Sequence, residues 1–528
     1  MEYKIIFLAV MILVASLLTI LGNRIRVSYP VLLVIAGLVI SFLPFVPTIE
    51  LDPEIVFYIF LPPLLYMSAI EMPLKEILNW KRVILCFAFL VVFLTAAGIG
   101  LMATWMVPGM TLAMGMVLGG ILGPTDAVSA TCIMQQVKVP SRVSTILEGE
   151  SLLNDASSLI TFSFALVAVQ TGSFVFQQAL VSFIWMVLGG GVIGVLVGMF
   201  FTYLHKWLPE KDPNVVIILT IIAPYMMYIV AEACGASGVL GVVCGSFYMA
   251  RNIEALDSNS RLLGRSIWNN LIFVLNGLAF LLIGLNLPHI VNGLQADGIS
   301  ITRATIFGLC ITAIIMLIRM ACAYLAIPLS RIRRKRRHLG NELIVDVRTS
   351  FIIGWCGMRG VVSLAAALSI PYLLPNGDPF PYRSLMLYSS FVVIFTTLVL
   401  QGLSLPIFLK HIRFPEYGDH LEEAEAVIKI RKALAECGIK YLEEHPVEDA
   451  ESHRVFAYLK DRWKKRMEID SQELLVKAST DVYHKIMIEQ RKYLFRMIHE
   501  HPEIEERLIN KFILGIDLGE ERLKNDNN

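Results

Sequence analysis

Apolar residues run in long blocks along most of this chain, and polar residues collect in short gaps between them. A helix needs about 20 predominantly apolar residues to cross a bilayer. Stretches of this kind occur at 4–22, 29–47, 51–70, 83–106, 110–134, 144–170, 178–204, 214–234, 237–250, 267–288, 303–328, 349–374 and 384–409. The third, ninth and twelfth are short or carry Gly, Pro or charge inside them. Backbone in lipid must satisfy its own hydrogen bonds, so apolar runs of this length read as helices. The pattern predicts an all-α membrane protein with about 13 transmembrane helices. Beyond residue 412 it changes to amphipathic helical segments such as Glu422–Glu444 and Ser471–His499, punctuated by Pro446 and Pro502. The expected organisation is a transmembrane domain over 1–412 and a helical C-terminal domain over 413–528.

Charge sharpens this division. Of the 528 residues 17% are charged and 56% hydrophobic, against about a quarter charged in soluble domains. Residues 415–528 hold 19 Lys/Arg and 25 Asp/Glu, while the remainder holds 26 and 19. Basic residues also alternate between loops. Arg24, Arg26, Lys75, Lys81, Arg82, Lys138, Arg142, Lys206, Lys211, Arg251, Arg261, Arg265, Arg331, Arg333–Arg337 and Arg348 fall in one set, and only Arg303 and Arg383 in the other. Basic loops stay in the cytoplasm. The expected topology is multi-pass in the cell (inner) membrane, with the N-terminus outside and the C-terminal domain cytoplasmic. The run Arg331–Arg337 reads first as a topology determinant, and its charge also suits anionic membrane lipids. Lys4 precedes the apolar run Ile5–Leu21 with no small-residue cleavage site after it, so that run reads as a retained span.

Several classes of function lose support. The eight cysteines lie mostly in apolar runs without CxxC spacing and read as small buried hydrophobes, with no disulfide framework or zinc site. Seven of the ten histidines lie at or beyond His411 and none sits mid-span; those of the tail read as ordinary solvated side chains ahead of a pH-sensing role. A GxxxxGK[ST] motif is absent, which argues against an ATP-driven pump. HExxH and GxSxG are absent too, which argues against a membrane hydrolase. The chain is expected to be no enzyme, to need no cofactor and to bind no nucleic acid.

A few charges lie where charges are expensive. An ionised side chain at bilayer depth costs at least about 2.5–3.5 kcal/mol, so it usually faces a cavity or a partner. Asp126 sits mid-span in Gly123-Pro124-Thr125-Asp126-Ala127-Val128-Ser129. Gly and Pro weaken a helix, and an interrupted helix frees backbone carbonyls that bind cations. Span six opens with Glu148-Gly149-Glu150-Ser151-Leu152-Leu153-Asn154-Asp155. Ser151 and Asp155 are four apart, as are Glu150 and Asn154, so one stripe carries two carboxylates, an amide and a hydroxyl. Hard cations prefer such oxygens. Glu148 reads as a solvated acid near the start of its helix. Arg319 lies in an apolar run and needs a carboxylate partner, for which Glu150 is the choice. That leaves Asp155 as the titratable site. Arg359 sits in Gly357-Met358-Arg359-Gly360-Val361-Val362-Ser363, which shares its first, sixth and seventh residue types with Gly123–Ser129. Matching interruptions in two halves point to inverted repeats. Glu232, near the outer end of span eight, reads as structural or gating. Gly190, Gly194 and Gly198 read as a close-packing stripe.

These segments resemble the sodium/proton exchanger family, the electroneutral branch of the monovalent cation/proton antiporters. The motifs are Gly123–Val128, Gly149–Asp155, Ala231-Glu232 with Ser237–Leu240, Arg319, Gly357–Gly360 and Leu61-Pro62-Pro63-Leu64-Leu65-Tyr66. The resemblance covers the membrane region and leaves the C-terminal domain uncovered. It implies two unwound crossing helices, spans five and twelve, and a homodimer. It makes Asp155 the shared site for cation and proton, with Thr125, Ser151, Asp126 and Asn154 completing or supporting it. It also implies a structural Glu150–Arg319 ion pair, with Arg359 supporting the unwound segment. Asn154 before Asp155, in place of a second Asp, implies one-for-one electroneutral exchange of Na+ (or Li+ or K+) for H+, in pH and sodium homeostasis. The chain departs from the family where Met67 and Ser68 follow the Pro-Pro pair and where Asn276 stands in span ten. Several relatives carry a carboxylate just after the Pro-Pro pair and some carry Glu in span ten, so their cation selectivity or affinity does not carry over.

Overall fold

The computed structural model describes residues 2–25, 29–43, 56–134, 139–172, 175–207, 212–256, 258–337, 347–412 and 423–444, with a few single positions beyond 460. It is helical throughout, and an isolated bridge between Leu373 and Pro379 is the only strand-like pairing among the described residues. The chain divides into two compact units, Met1–Glu416 and Tyr417–Asn528.

In the first unit the helices are α1 (Glu2–Ile25), α2 (Tyr29–Ser41), α3 (Val56–Glu71), α4 (Lys75–Met106), α5 (Leu112–Ile121), α6 (Ala127–Met134), α7 (Ser141–Thr171) and α8 (Phe176–Trp207). They continue as α9 (Pro213–Ala233), α10 (Gly238–Arg251), α11 (Ser258–Leu285), α12 (Leu287–Ala296), α13 (Ile301–Arg337), α14 (Val347–Trp355), α15 (Val361–Leu368) and α16 (Arg383–His411). Among the described residues seven segments are long and apolar enough to cross a membrane: those in α4, α7, α8, α9, α11–α12, α13 and α16. Shorter apolar helices accompany them. The described part of the second unit is mainly α17 (Glu423–Glu444). The expected segment Ser471–His499 lies almost wholly outside the described residues.

Two expectations from the apolar pattern need correction. Lys75, Lys81 and Arg82 lie on α4, because Leu74–Leu85 is amphipathic and continues the apolar helix through a π-helical turn at Cys86–Val91. The apolar window ends where one helical face turns polar, while the helix itself does not. The short α12 after Asn286 was also absent from the sequence reading; Pro288 sits in its first turn, where a missing N–H costs nothing.

The fifth and twelfth apolar stretches are each two helices with an extended break. Between α5 and α6 residues 123–126 are non-helical, and between α14 and α15 residues 356–360 are. Pro124 lacks an N–H and disfavours helix at Gly123 before it. Gly357 and Gly360 bracket the second break.

Two buried apolar clusters build the unit. One gathers Leu33, Ile99, Leu118, Ile146, Leu281, Ile315 and Leu398 from α2, α4, α5, α7, α11, α13 and α16. The other gathers Leu65, Phe201, Met227 and Val243 from α3, α8, α9 and α10. α7 contributes to both, with Phe162 in the first and Leu152 and Ala156 in the second. The carboxylate-bearing helix therefore runs along the seam. α8 and α10 pack backbone to backbone: a Cβ on Gly194 would lie 1.9 Å from Gly241 O.

Candidate functional site

The two breaks meet. The backbone N–H of Asp126 donates to Met358 O at 2.7 Å, and Arg359 Nε donates to Leu122 O at 2.8 Å. Each break thus satisfies part of the other's freed backbone, which lipid could not do.

Charges at the crossing follow the helix dipoles. Leu122 caps the C-terminal end of α5, where partial negative charge collects, and Arg359 brings its guanidinium there. Its Nη1 also donates to Gly357 O at 2.6 Å, and its backbone N–H to Thr397 Oγ1 at 3.2 Å. Gly360 precedes the N-terminal end of α15, where partial positive charge collects. The Asp126 carboxyl lies against it, so that a Cβ on Gly360 would fall 2.7 Å from Asp126 Oδ2. Ser129 Oγ donates to the same oxygen at 2.8 Å. The opposite charges of the two matching motifs therefore answer opposite helix ends.

α7 carries the next layer. Glu150 is buried against Arg319 of α13, which reaches it with both terminal nitrogens, Nη2 to Oε2 at 2.9 Å. Arg319 Nε donates to Ile353 O at 3.2 Å and Nη2 to Cys356 O at 3.3 Å. One guanidinium thus joins α7, α13 and the C-terminal end of α14. A buried, bidentate pair with further carbonyl partners is the arrangement in which a buried ion pair is tolerated.

Asp155 lies one turn further along α7. It is 6% exposed, and no described residue donates a hydrogen bond to its carboxylate. Its electrostatic neighbour is Asp126. Around it Ser151 Oγ donates to Thr125 O at 2.6 Å, and Asn154 Nδ2 donates to Thr125 Oγ1 at 2.6 Å. Thr125, Asp126, Ser151 and Asp155 all line a cavity of about 1190 Å³. Asn154 is fully buried and is not part of that lining; its amide positions Thr125. Among the described residues no group of three or more His, Cys, Asp or Glu is placed to hold a metal ion. Two carboxylates with neutral oxygens suit a singly charged, hard ion better than a transition metal.

The cavity walls include residues that sequence reading did not select. Glu71 at the end of α3 lines the cavity, as does Glu148, half-buried two turns into α7, where it accepts from Thr131 Oγ1 at 3.3 Å. Glu148 is thus a wall residue within the helix. His205, just past its apolar stretch, is 2% exposed and lines the cavity, as do the exposed Arg261 and Arg265. Tyr66 and Trp268 stack with centroids 4.8 Å apart on another wall. Asn276 and Ser363 also line the cavity. Apolar walls gave no periodicity signal of their own, because wall and core residues share one composition. Glu232, by contrast, is exposed and accepts from the N–H of Gly238 at 2.9 Å, capping the first turn of α10.

Comparison with known proteins agrees with this architecture. A family model described as sodium/hydrogen exchanger, transmembrane, matches residues 10–411. An antiporter from Bacillus pumilus, named for sodium, potassium, lithium and rubidium against H+, is 33% identical over 414 residues, covering 76% of this chain and 61% of its own length. The chain therefore spans about six tenths of that relative. An uncharacterised Na+/H+ exchanger of Escherichia coli K12, YjcE, is 30% identical over 528 residues, 95% of either chain. The solved sodium/proton antiporter MjNhaP1 of Methanocaldococcus jannaschii superposes with a TM-score of 0.61 at 19% identity, covering 78% of this chain and 99% of that one. That last likeness shows a shared fold.

Proposed function

This chain belongs to the sodium/hydrogen exchanger family, and from that premise and the site geometry we propose that it exchanges sodium ions for protons across the cell membrane, one for one. The observation that carries the reading is the Asp155 carboxylate: buried, without a hydrogen-bond donor among the described residues, and on the wall of a cavity beside two broken helices. A buried carboxylate without donors is unfavourable as a bare anion. A proton or a dehydrated cation relieves it, and one carboxylate does not hold both. Either ligand neutralises the site and lets it pass to the other face, while the empty charged site stays. That competition couples the two fluxes.

Ser151, Thr125 and Asp126 supply the remaining oxygens, and Asn154 holds Thr125 in place. Asp126 remains ionised at the N-terminal end of α15 as fixed negative charge, and Arg359 balances it at the C-terminal end of α5. Glu150 is occupied by Arg319, which leaves Asp155 as the acid that changes state. The name of the Bacillus pumilus relative supports a site that also takes Li+ or K+. The alternating basic loops support an external N-terminus and a cytoplasmic C-terminal unit, so that the cavity wall with Arg261 and Arg265 faces the cytoplasm. The reading includes a homodimer.

Asp155→Asn is expected to abolish exchange while leaving expression and dimerisation intact. Exchange is measured with a pH-sensitive dye in everted vesicles after addition of sodium. Wild-type-like proton movement in that variant refutes the assignment.

A further inference from the structure

We propose that the Ser363 hydroxyl oxygen is an additional ligand of the transported cation, a role that rests on the exchanger reading above. Ser363 stands in the first turn of α15, and its side chain is completely buried. Its Oγ has no hydrogen-bond partner among the described residues, yet the residue lines the same cavity as Asp155, Asp126, Thr125 and Ser151. Buried hydroxyls are normally satisfied, and each exception calls for a reason.

The local backbone supplies the reason. Three other buried helix serines donate to the carbonyl four residues back, Ser246 to Val242 at 2.6 Å, Ser389 to Leu385 at 2.6 Å and Ser390 to Met386 at 2.8 Å, although Ser158 in mid-helix is unpartnered like Ser363. Four residues before Ser363 is Arg359, which belongs to the extended break and not to a helix. The usual acceptor is therefore missing because the helix starts too late to provide it.

The paired motifs show where the hydroxyl stands. Gly123–Ser129 and Gly357–Ser363 are both seven residues long. Their fourth positions, Asp126 and Gly360, lie against each other at the crossing. Their seventh positions are Ser129 and Ser363. Ser129 donates to the carboxylate of its own motif. Gly360 has no side chain, so Ser363 has no equivalent acceptor, while the residue lines the cavity that the acidic pair also lines. A dehydrated hard cation needs several oxygens. Thr125 already has both of its oxygens accepting from Ser151 and Asn154. An unengaged hydroxyl on a residue lining the same cavity answers that need.

The test uses the full-length protein as wild type, Ser363→Ala, Ser363→Cys and Ser363→Thr. Two readouts are taken: the apparent KM for Na+ of dye-reported exchange in proteoliposomes, and the Na+ concentration that half-maximally raises Tm in detergent. Ser363→Ala and Ser363→Cys, which lack the oxygen, are expected to raise both about three- to tenfold. Ser363→Thr, which keeps the hydroxyl, restores the wild-type Na+ dependence. Unchanged Na+ dependence in the oxygen-less variants, a fall in kcat at constant KM, or failure of Thr to rescue overturns the assignment. A wild type that is stabilised by Na+ but exchanges nothing defeats the exchanger reading alone, since the binding readout still decides Ser363. A wild type with neither response defeats both.

Discussion

Arg319 and Glu150 illustrate how a single buried pair is held and what its loss exposes. Both side chains are buried, and the guanidinium also serves the Ile353 and Cys356 carbonyls. Removing one partner leaves the other charge uncompensated, which costs about 3–5 kcal/mol. Arg319→Ala is therefore expected to lower stability and expression at least as much as it lowers transport, measured as Tm and monodispersity in detergent. Arg319→Met combined with Glu150→Leu is expected to recover part of that loss, but not all, because the two carbonyls stay unserved. A stable Arg319→Ala protein would show that the pair is not structural. At this scale much of the site was legible: a charge inside an apolar run stands out, and helical spacing put Ser151 and Asp155 on one face. What each polar group is bonded to was not legible. Nothing in the order of residues says that Asn154 turns its amide to Thr125, that His205 is buried, or that Ser363 lacks an acceptor.

Helices meet here through small residues, and the sequence stripe Gly190, Gly194 and Gly198 predicted that contact without saying which neighbour it meets. α10 is the partner, and position matters to the ångström. A methyl on Gly194 would sit 1.9 Å from the Gly241 carbonyl, while one on Gly191 meets only Cys244 Sγ at 3.5 Å. Gly194→Ala is expected to destabilise by at least about 1–3 kcal/mol through overpacking. Gly191→Ala is expected to be neutral or to stabilise by up to about 0.5–1 kcal/mol, since alanine holds a helix better than glycine. Opposite signs in thermal unfolding of two adjacent-turn variants check the α8–α10 contact. The broken helices follow the same logic with function attached. Gly360→Ala would push a methyl to 2.7 Å from Asp126 Oδ2 and 2.8 Å from its Cβ. Exchange is expected to fall by at least about tenfold, because a displacement of about 1 Å in an aligned site already costs that much or more. The fold is expected to survive, as read by unchanged size-exclusion behaviour. The breaks themselves were readable from Gly123-Pro124 and Gly357–Gly360. The continuation of α4 past its apolar window was not, because amphipathic and loop segments both interrupt hydropathy.

Across the whole first unit the arrangement of charge decides how transport couples to the membrane. Acidic and basic side chains at the crossing are matched: Asp126 and Arg359 by way of the helix ends, and Glu150 with Arg319 directly. On the proposed reading Asp155 is left over, and a single ligand, Na+ or H+, brings it to neutrality. If the same neutral site moves in both directions, no net charge crosses per cycle. A potential of 100 mV adds about 2.3 kcal/mol for each net charge moved, so an unbalanced cycle would change in driving force by more than tenfold at that voltage. A balanced cycle should not change at all. The expected outcome is that Na+-driven proton movement in proteoliposomes runs to the same final pH gradient whether the membrane is clamped at 0 or at about 100 mV by a potassium gradient with valinomycin. A final gradient that shifts with voltage would mean that a second group, with Asp126 the nearest candidate, gives up its charge during the cycle, and the dipole argument for holding Asp126 ionised would fall with it.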